Sequence, residues 1–114
     1  MRMMPPDVRI EHRYPAARSF VRRHGPQAVA VLHELLARAE HRDGQLVTRA
    51  STRDIADRLA CLSKDTVHRR LRQLARAGVI EPLDRKPGST FAPTTYVVHL
   101  GDSGIAVRSD ERCA

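Results

Sequence analysis

The sequence predicts an α+β domain, mainly helical with one small antiparallel β-hairpin, and three observations carry that prediction. Apolar residues recur at helical spacing over 27–41, 52–60 and 63–78. Two strand-like runs, Val79-Ile80-Glu81-Pro82-Leu83 and Thr95-Tyr96-Val97-Val98-His99-Leu100, flank a polar stretch broken by proline and glycine, as in a hairpin with a long tip. The 114 residues suffice for one small domain with a modest core and leave no room for a second, ligand-sensing one. The expected domain spans 16–100, between a flexible N-terminal arm at 1–15 and a disordered C-terminal tail at 101–114.

The arm begins M-R-M-M-P-P-D-V-R-I-E-H-R-Y, a proline pair in mixed charge, with Ile10 or Tyr14 as the residues able to pin it. Residues 16–24, A-A-R-S-F-V-R-R-H, read as a short helix with Phe20 and Val21 facing inward. Gly25-Pro26 interrupts the chain, and proline suits the first turn of the next helix. From Gln27 to His41, Ala28, Val29, Val31, Leu32, Leu35, Leu36 and Ala39 fall in an arc of roughly 160°. That face is wide enough to serve both the core and a second copy of the chain, which suggests a homodimer through helix 27–41 and the N-terminal segment; the alternative is a helix simply well buried in its own domain. Asp43-Gly44 is a turn signal, and Leu46-Val47 a short extended piece.

Ser51 and Thr52 are both N-cap candidates for a helix over about 52–60, with Asp54 in the place of a capping-box acid. That helix presents Ile55, Ala56 and Leu59 on one face. After Ala60-Cys61-Leu62 comes the stretch S-K-D-T-V-H-R-R-L-R-Q-L-A-R-A-G, from Ser63 to Gly78. Ser63 is suited to cap its start and Gly78 to end it in the left-handed conformation. Val67, Leu71 and Leu74 make one apolar stripe. At about 100° per residue, the opposite side carries Asp65, Arg69, Arg72 and Arg76, with His68 and Gln73 on its flanks. A charged helix face is usually just solvated. Here it follows a bracing helix and a tight turn, the arrangement in which the second helix of a helix-turn-helix enters the major groove of DNA.

The pattern S-T-R-D-I-A-D-R-L, then S-K-D-T-V-H-R-R-L-R-Q-L-A-R-A-G-V-I, then a β-hairpin, resembles the winged helix-turn-helix family over roughly residues 27–100. It is similar to the reading heads of MarR-like and GntR-like bacterial regulators. The hairpin end, T-T-Y-V-V-H-L, is most similar to winged-helix domains of phage and plasmid replication proteins. The resemblance implies that Ser63, Lys64, Asp65 and Thr66 lie at the groove-entering end. It also implies that Arg69 contacts phosphate or base and that Thr52 and Arg53 touch the DNA backbone. The turn departs from the family's usual L-G-V-S: here it reads L-A-C-L-S, one residue longer and without glycine.

Charge agrees with an anionic partner. There are 20 Lys+Arg against 13 Asp+Glu, a net charge of +7, and basic residues are dense around 51–78. Specific contacts are expected from Lys64, Asp65, His68, Arg69, Arg72 and Gln73, with Arg76 on the same face and Arg85 and Lys86 at the hairpin tip. Tryptophan is absent and aromatics are scarce, which argues against a single-strand surface of stacked rings. Cys61 and Cys113 have no metal-ligand spacing. Cys61 reads as a small buried apolar residue, with a redox-sensitive thiol in the turn as the alternative. The six histidines (His12, His24, His33, His41, His68 and His99) contain no i, i+4 pair with a glutamate, and His33 and His41 read as solvated surface, so no metal and no cofactor are expected. No nucleophile motif, phosphate loop or isolated carboxylate pair suggests an enzyme. No apolar run approaches the about 20 residues that span a bilayer, and a cytoplasmic location is expected. The expected activity is sequence-specific binding of double-stranded DNA, as a small regulator such as a repressor or as a plasmid or phage replication or partition factor. The rival reading is a protein-interaction or architectural module in a larger nucleoprotein assembly.

Overall fold

Asp43 and Gly44 both take positive φ, 50° and 80°, the backbone that closes a two-residue hairpin. That turn folds β2 (Glu40–Arg42) back on β3 (Gln45–Ala50), with Arg42 opposite Gln45 and Glu40 opposite Val47. The computed structural model describes residues 8–83 and 93–109. Within them the order is β1 (Val8–His12), α1 (Ala16–His24), α2 (Pro26–Ala37), β2, β3, α3 (Thr52–Leu59), α4 (Lys64–Arg76), β4 (Ile80–Pro82), β5 (Thr94–Val98), a 3-10 turn at Gly101–Ser103, and β6 (Ile105–Ser109). The fold is α+β, with four helices and two antiparallel sheets among the described residues.

Several helix boundaries have a local cause. Gly25, at φ 90°, ends α1 by donating its N–H to Val21, and Pro26 opens α2. Ser51 Oγ accepts from the Asp54 N–H at 3.0 Å, and Ser63 Oγ accepts from the Thr66 N–H at 3.1 Å. At the far end of α4, the Gly78 N–H reaches the Ala75 carbonyl and the Val79 N–H reaches that of Leu74. This pair of bonds, with Gly78 at φ 79°, is the Schellman ending. The expected helix to His41 stops at Ala37, because residues 40–42 are drawn into the β2–β3 hairpin.

The larger sheet runs β2-β3-β5-β4. Leu46 and Ile80 both face Val98 of the central β5, one from each neighbouring strand. Leu32, Leu35 and Leu36 of α2, Ile55 of α3, Val67 and Leu74 of α4 and Ile80 of β4 are all 0–1% exposed, so the core lies where the three helices meet the sheet. Thr48 is also buried, and its hydroxyl donates to the Leu35 carbonyl at 2.8 Å, a second bond to an oxygen that also accepts from the Arg38 N–H, tying β3 to the end of α2.

The two chain ends differ from expectation. Residues 8–12, assigned to the arm, pair antiparallel with residues 105–109, assigned to the tail, with Ile10 opposite Val107 and His12 opposite Ile105. Ile105 is buried and Ile10 packs against the core. The pair is seated by Gly104, whose carbonyl accepts from the Arg13 N–H at 2.7 Å.

Candidate nucleic-acid interface

Two helices and the turn between them build the candidate surface. Leu59 ends α3, and Ala60 takes the left-handed conformation, φ 60°, ψ −11°, with its N–H on the Ala56 carbonyl. Ala60 adopts the geometry that glycine is favoured for. Leu62 then packs against the core, and Ser63 starts α4. Cys61, between them, is an exposed free thiol rather than a buried apolar residue. It lies at the outside of the turn, while Leu62 takes the inward position.

Helical phase divides α4 as expected. Val67, Leu71 and Leu74 are buried, whereas Asp65, Arg69, Arg72 and Arg76 are exposed on the opposite side. Lys64 is exposed at the first position, and His68 is half-buried on one flank. Ser63 and Thr66 are committed to each other: besides the cap, the Ser63 hydroxyl donates to Thr66 Oγ1 at 3.1 Å. Arg53 is exposed in the first turn of α3. Four of these residues, Arg53, Arg69, Arg72 and Arg76, are exposed arginines, and Asp65 is an exposed carboxylate, as are Asp54 and Asp57 of α3. Arg85 and Lys86, the expected hairpin-tip contacts, lie outside the described residues.

Two of the expected contacts are placed otherwise. Thr52 is only 4% exposed, because the first turn of α3 points it into the core while Ser51 serves as the cap. Gln73 is half-buried, and its amide is used internally. Its Nε2 donates to the His24 carbonyl at 2.8 Å, and its Oε1 accepts from Arg70 Nη1 at 2.6 Å. Neither side chain is presented to a ligand. Arg70, which no sequence pattern marks, lies on the same flank of α4 as Gln73, and its Nε is buried without a hydrogen-bond partner. Arg22 and Arg23 are exposed in the last turn of α1. The Gln73–His24 bond brings that turn beside α4, and no local pattern announces it.

The surface proposed for a second copy is also changed. Ala28, Val29, Val31, Leu32, Leu35 and Leu36 are each 8% exposed or less within the single chain. The width of the α2 apolar face reflects packing against α1, α3, α4, β1 and β3 at once, and it leaves no apolar strip for a partner. Two histidines also depart from expectation. His33 is half-buried and meets His12, Nε2 to Nε2, at 3.1 Å. Its pKa is lowered from 6.5, first by burial and then by His12. His24, packed on the Phe20 ring at 4.4 Å between centres, is lowered by burial and then by Arg23.

Among the described residues, no group of three His, Cys, Asp or Glu could hold a metal ion, and no helix is long and apolar enough to cross a membrane. No family model matches the chain, and comparisons with curated proteins and with solved structures found no match.

Proposed function

We propose that the chain is a sequence-specific double-stranded DNA-binding protein of the winged helix-turn-helix type. In this reading it acts as a small bacterial, phage or plasmid regulator, or as a replication or partition accessory factor. The observation that carries the reading is the outward face of α4. Arg69, Arg72 and Arg76 stand exposed on it, opposite the buried Val67, Leu71 and Leu74 that hold the helix to the core. Arginines fixed on the free side of a docked helix can fork onto guanine edges or bond phosphate oxygens. The layout around α4 supports the same reading. The bracing helix α3 precedes it, the β4–β5 pair follows it, and β3 pairs with β5 to close the sheet beside the helices.

On this mechanism, α4 lies in the major groove. Asp65, Arg69 and Arg72 are the base-reading candidates, with Lys64 and His68 beside them, while Arg53 and Arg76 position the chain on phosphates. Thr52 and Gln73 hold the fold instead. Ser63 and Thr66 set the direction of the reading helix through its cap. Counterion release from the phosphates makes binding fall as salt rises.

The test is selection of bound duplexes from a random pool at low and near-physiological salt. A recurrent motif that survives the higher salt supports sequence-specific binding, and a palindromic motif reports two copies on one site. Binding without a motif that disappears as salt rises leaves only electrostatic attraction, and would move the function to an architectural or partner-docking role.

A further inference from the structure

His12 and His33 are 21 residues apart in the chain, yet their Nε2 atoms lie 3.1 Å from each other. The ring centres are 5.1 Å apart, so both nitrogens sit on the facing edges of the rings. Neither backbone is free to drift. His12 ends β1 opposite the buried Ile105. His33 rises from α2 between the fully buried Leu32 and the half-buried Glu34, one turn before Leu36. His12 is exposed and His33 half-buried, so the pair is open to solvent while the fold holds both backbones in place.

Such a pair can share one hydrogen bond when both rings are neutral. It also matches one edge of a metal coordination shell: Zn–N bonds of about 2.0–2.1 Å place two ligands of a tetrahedron about 3.3 Å apart. The observed spacing is within ~0.2 Å of that edge. No third His, Cys, Asp or Glu completes a cluster among the described residues, so the pair fits an open site whose other positions fall to water. Two imidazoles without carboxylates favour late first-row ions and have little to offer magnesium or calcium. We infer that His12 and His33 form a two-ligand site for a divalent transition-metal ion of the nickel, copper and zinc group. The ion would tie the β1–β6 pair to α2. The inference stands apart from the DNA-binding reading, since neither histidine belongs to the α3–α4 surface.

The test is titration of the full chain, without a histidine tag, with nickel and zinc chloride in a non-coordinating buffer near neutral pH. One ion per chain should bind saturably and raise the thermal midpoint as its concentration rises, while magnesium chloride should do neither. His12→Gln and His33→Gln should each weaken binding by at least about tenfold, a loss seen even when groups behind a ligand are removed. His41→Gln should leave binding unchanged. Full affinity in either of the first two variants, or equal stabilisation by magnesium, overturns the site. Because His33→Gln also removes packing, the unaltered chain supplies an independent readout. Pulsed electron paramagnetic resonance of bound copper should report two equatorial imidazole nitrogens, and finding one or none overturns the assignment.

Discussion

The side-chain amide of Gln73 donates to the carbonyl oxygen of His24 at 2.8 Å, joining the reading-helix candidate α4 to the last residue of α1. A helix leaves its final carbonyls unpaired, and this bond fills one of them. Gln73→Ala should therefore cost about 1–2 kcal/mol of stability, a hydrogen bond plus part of the penalty for an unpaired acceptor. The motif selected from random duplexes should not change. Urea denaturation and the selection together decide it: an altered motif at unaltered stability would make Gln73 a base reader instead.

Ala60 carries the left-handed turn that ends α3. An L-residue there costs about 1–2 kcal/mol relative to right-handed backbone, while glycine costs about 0.5–1 kcal/mol more in lost chain entropy. Ala60→Gly should stabilise the chain by up to about 1.5 kcal/mol, the difference between those terms. The urea midpoint should rise with an unchanged denaturant slope. A lower midpoint would mean that the Ala60 methyl contributes packing that outweighs its backbone strain.

The helices and the arginine face were legible in the sequence because their causes are local. Ser63, Gly78 and the spacing of Val67, Leu71 and Leu74 set the ends and the phase of α4, and phase alone points Arg69, Arg72 and Arg76 outward. What was misread depends on distant neighbours. Residues 38–41 suit a helix until Asp43-Gly44 folds them onto β3. The strands β1 and β6 are only five residues each and find each other only from opposite ends of the chain. Gln73 looks like a groove residue until the His24 carbonyl is placed beside it, and His33 looks like solvated surface until His12 arrives.

Gly104 makes that terminal pairing sterically demanding. A Cβ on it would lie 2.5 Å from the Ala17 nitrogen and 2.7 Å from the Arg13 carbonyl oxygen, and its φ of 79° disfavours any side chain. Gly104→Ala should destabilise the chain by about 2–5 kcal/mol, combining overpacking with backbone strain. Amide hydrogen exchange should quicken first in 8–12 and 105–109. Wild-type protection of those amides would show that the strand pair does not depend on this close approach.

Burial holds the pKa of His24 and of His33 below 6.5, with Arg23 and His12 respectively as the second cause. The unfolded chain thus takes up protons before the folded one does. Stability from this source is complete above the unfolded value and is lost as pH falls through the folded ones. In buffer with a metal chelator, the thermal midpoint should drop between about pH 7 and pH 5. His24→Gln should flatten part of that drop. A pH profile identical to that of the unaltered chain would mean that His24 is as easily protonated folded as unfolded.

Arg69 and Arg70 are adjacent, yet helical phase separates their roles. Arg69 is exposed on the outward face, while Arg70 is half-buried, bonded to Gln73, with its Nε sealed from solvent. Arg69→Ala should weaken binding to the selected duplex by about 1–3 kcal/mol with little change in stability. If Arg69 reads a base, the loss is confined to the selected sequence. If it holds a phosphate, the loss is uniform across sequences and the salt slope shrinks by about one. Arg70→Ala should instead alter the unfolding midpoint and leave the affinity of the folded chain intact. Salt-controlled titrations of both variants separate the two faces of α4. Unchanged binding in Arg69→Ala with lost binding in a folded Arg70→Ala would place the DNA on the flank that faces α1, not on the outward face.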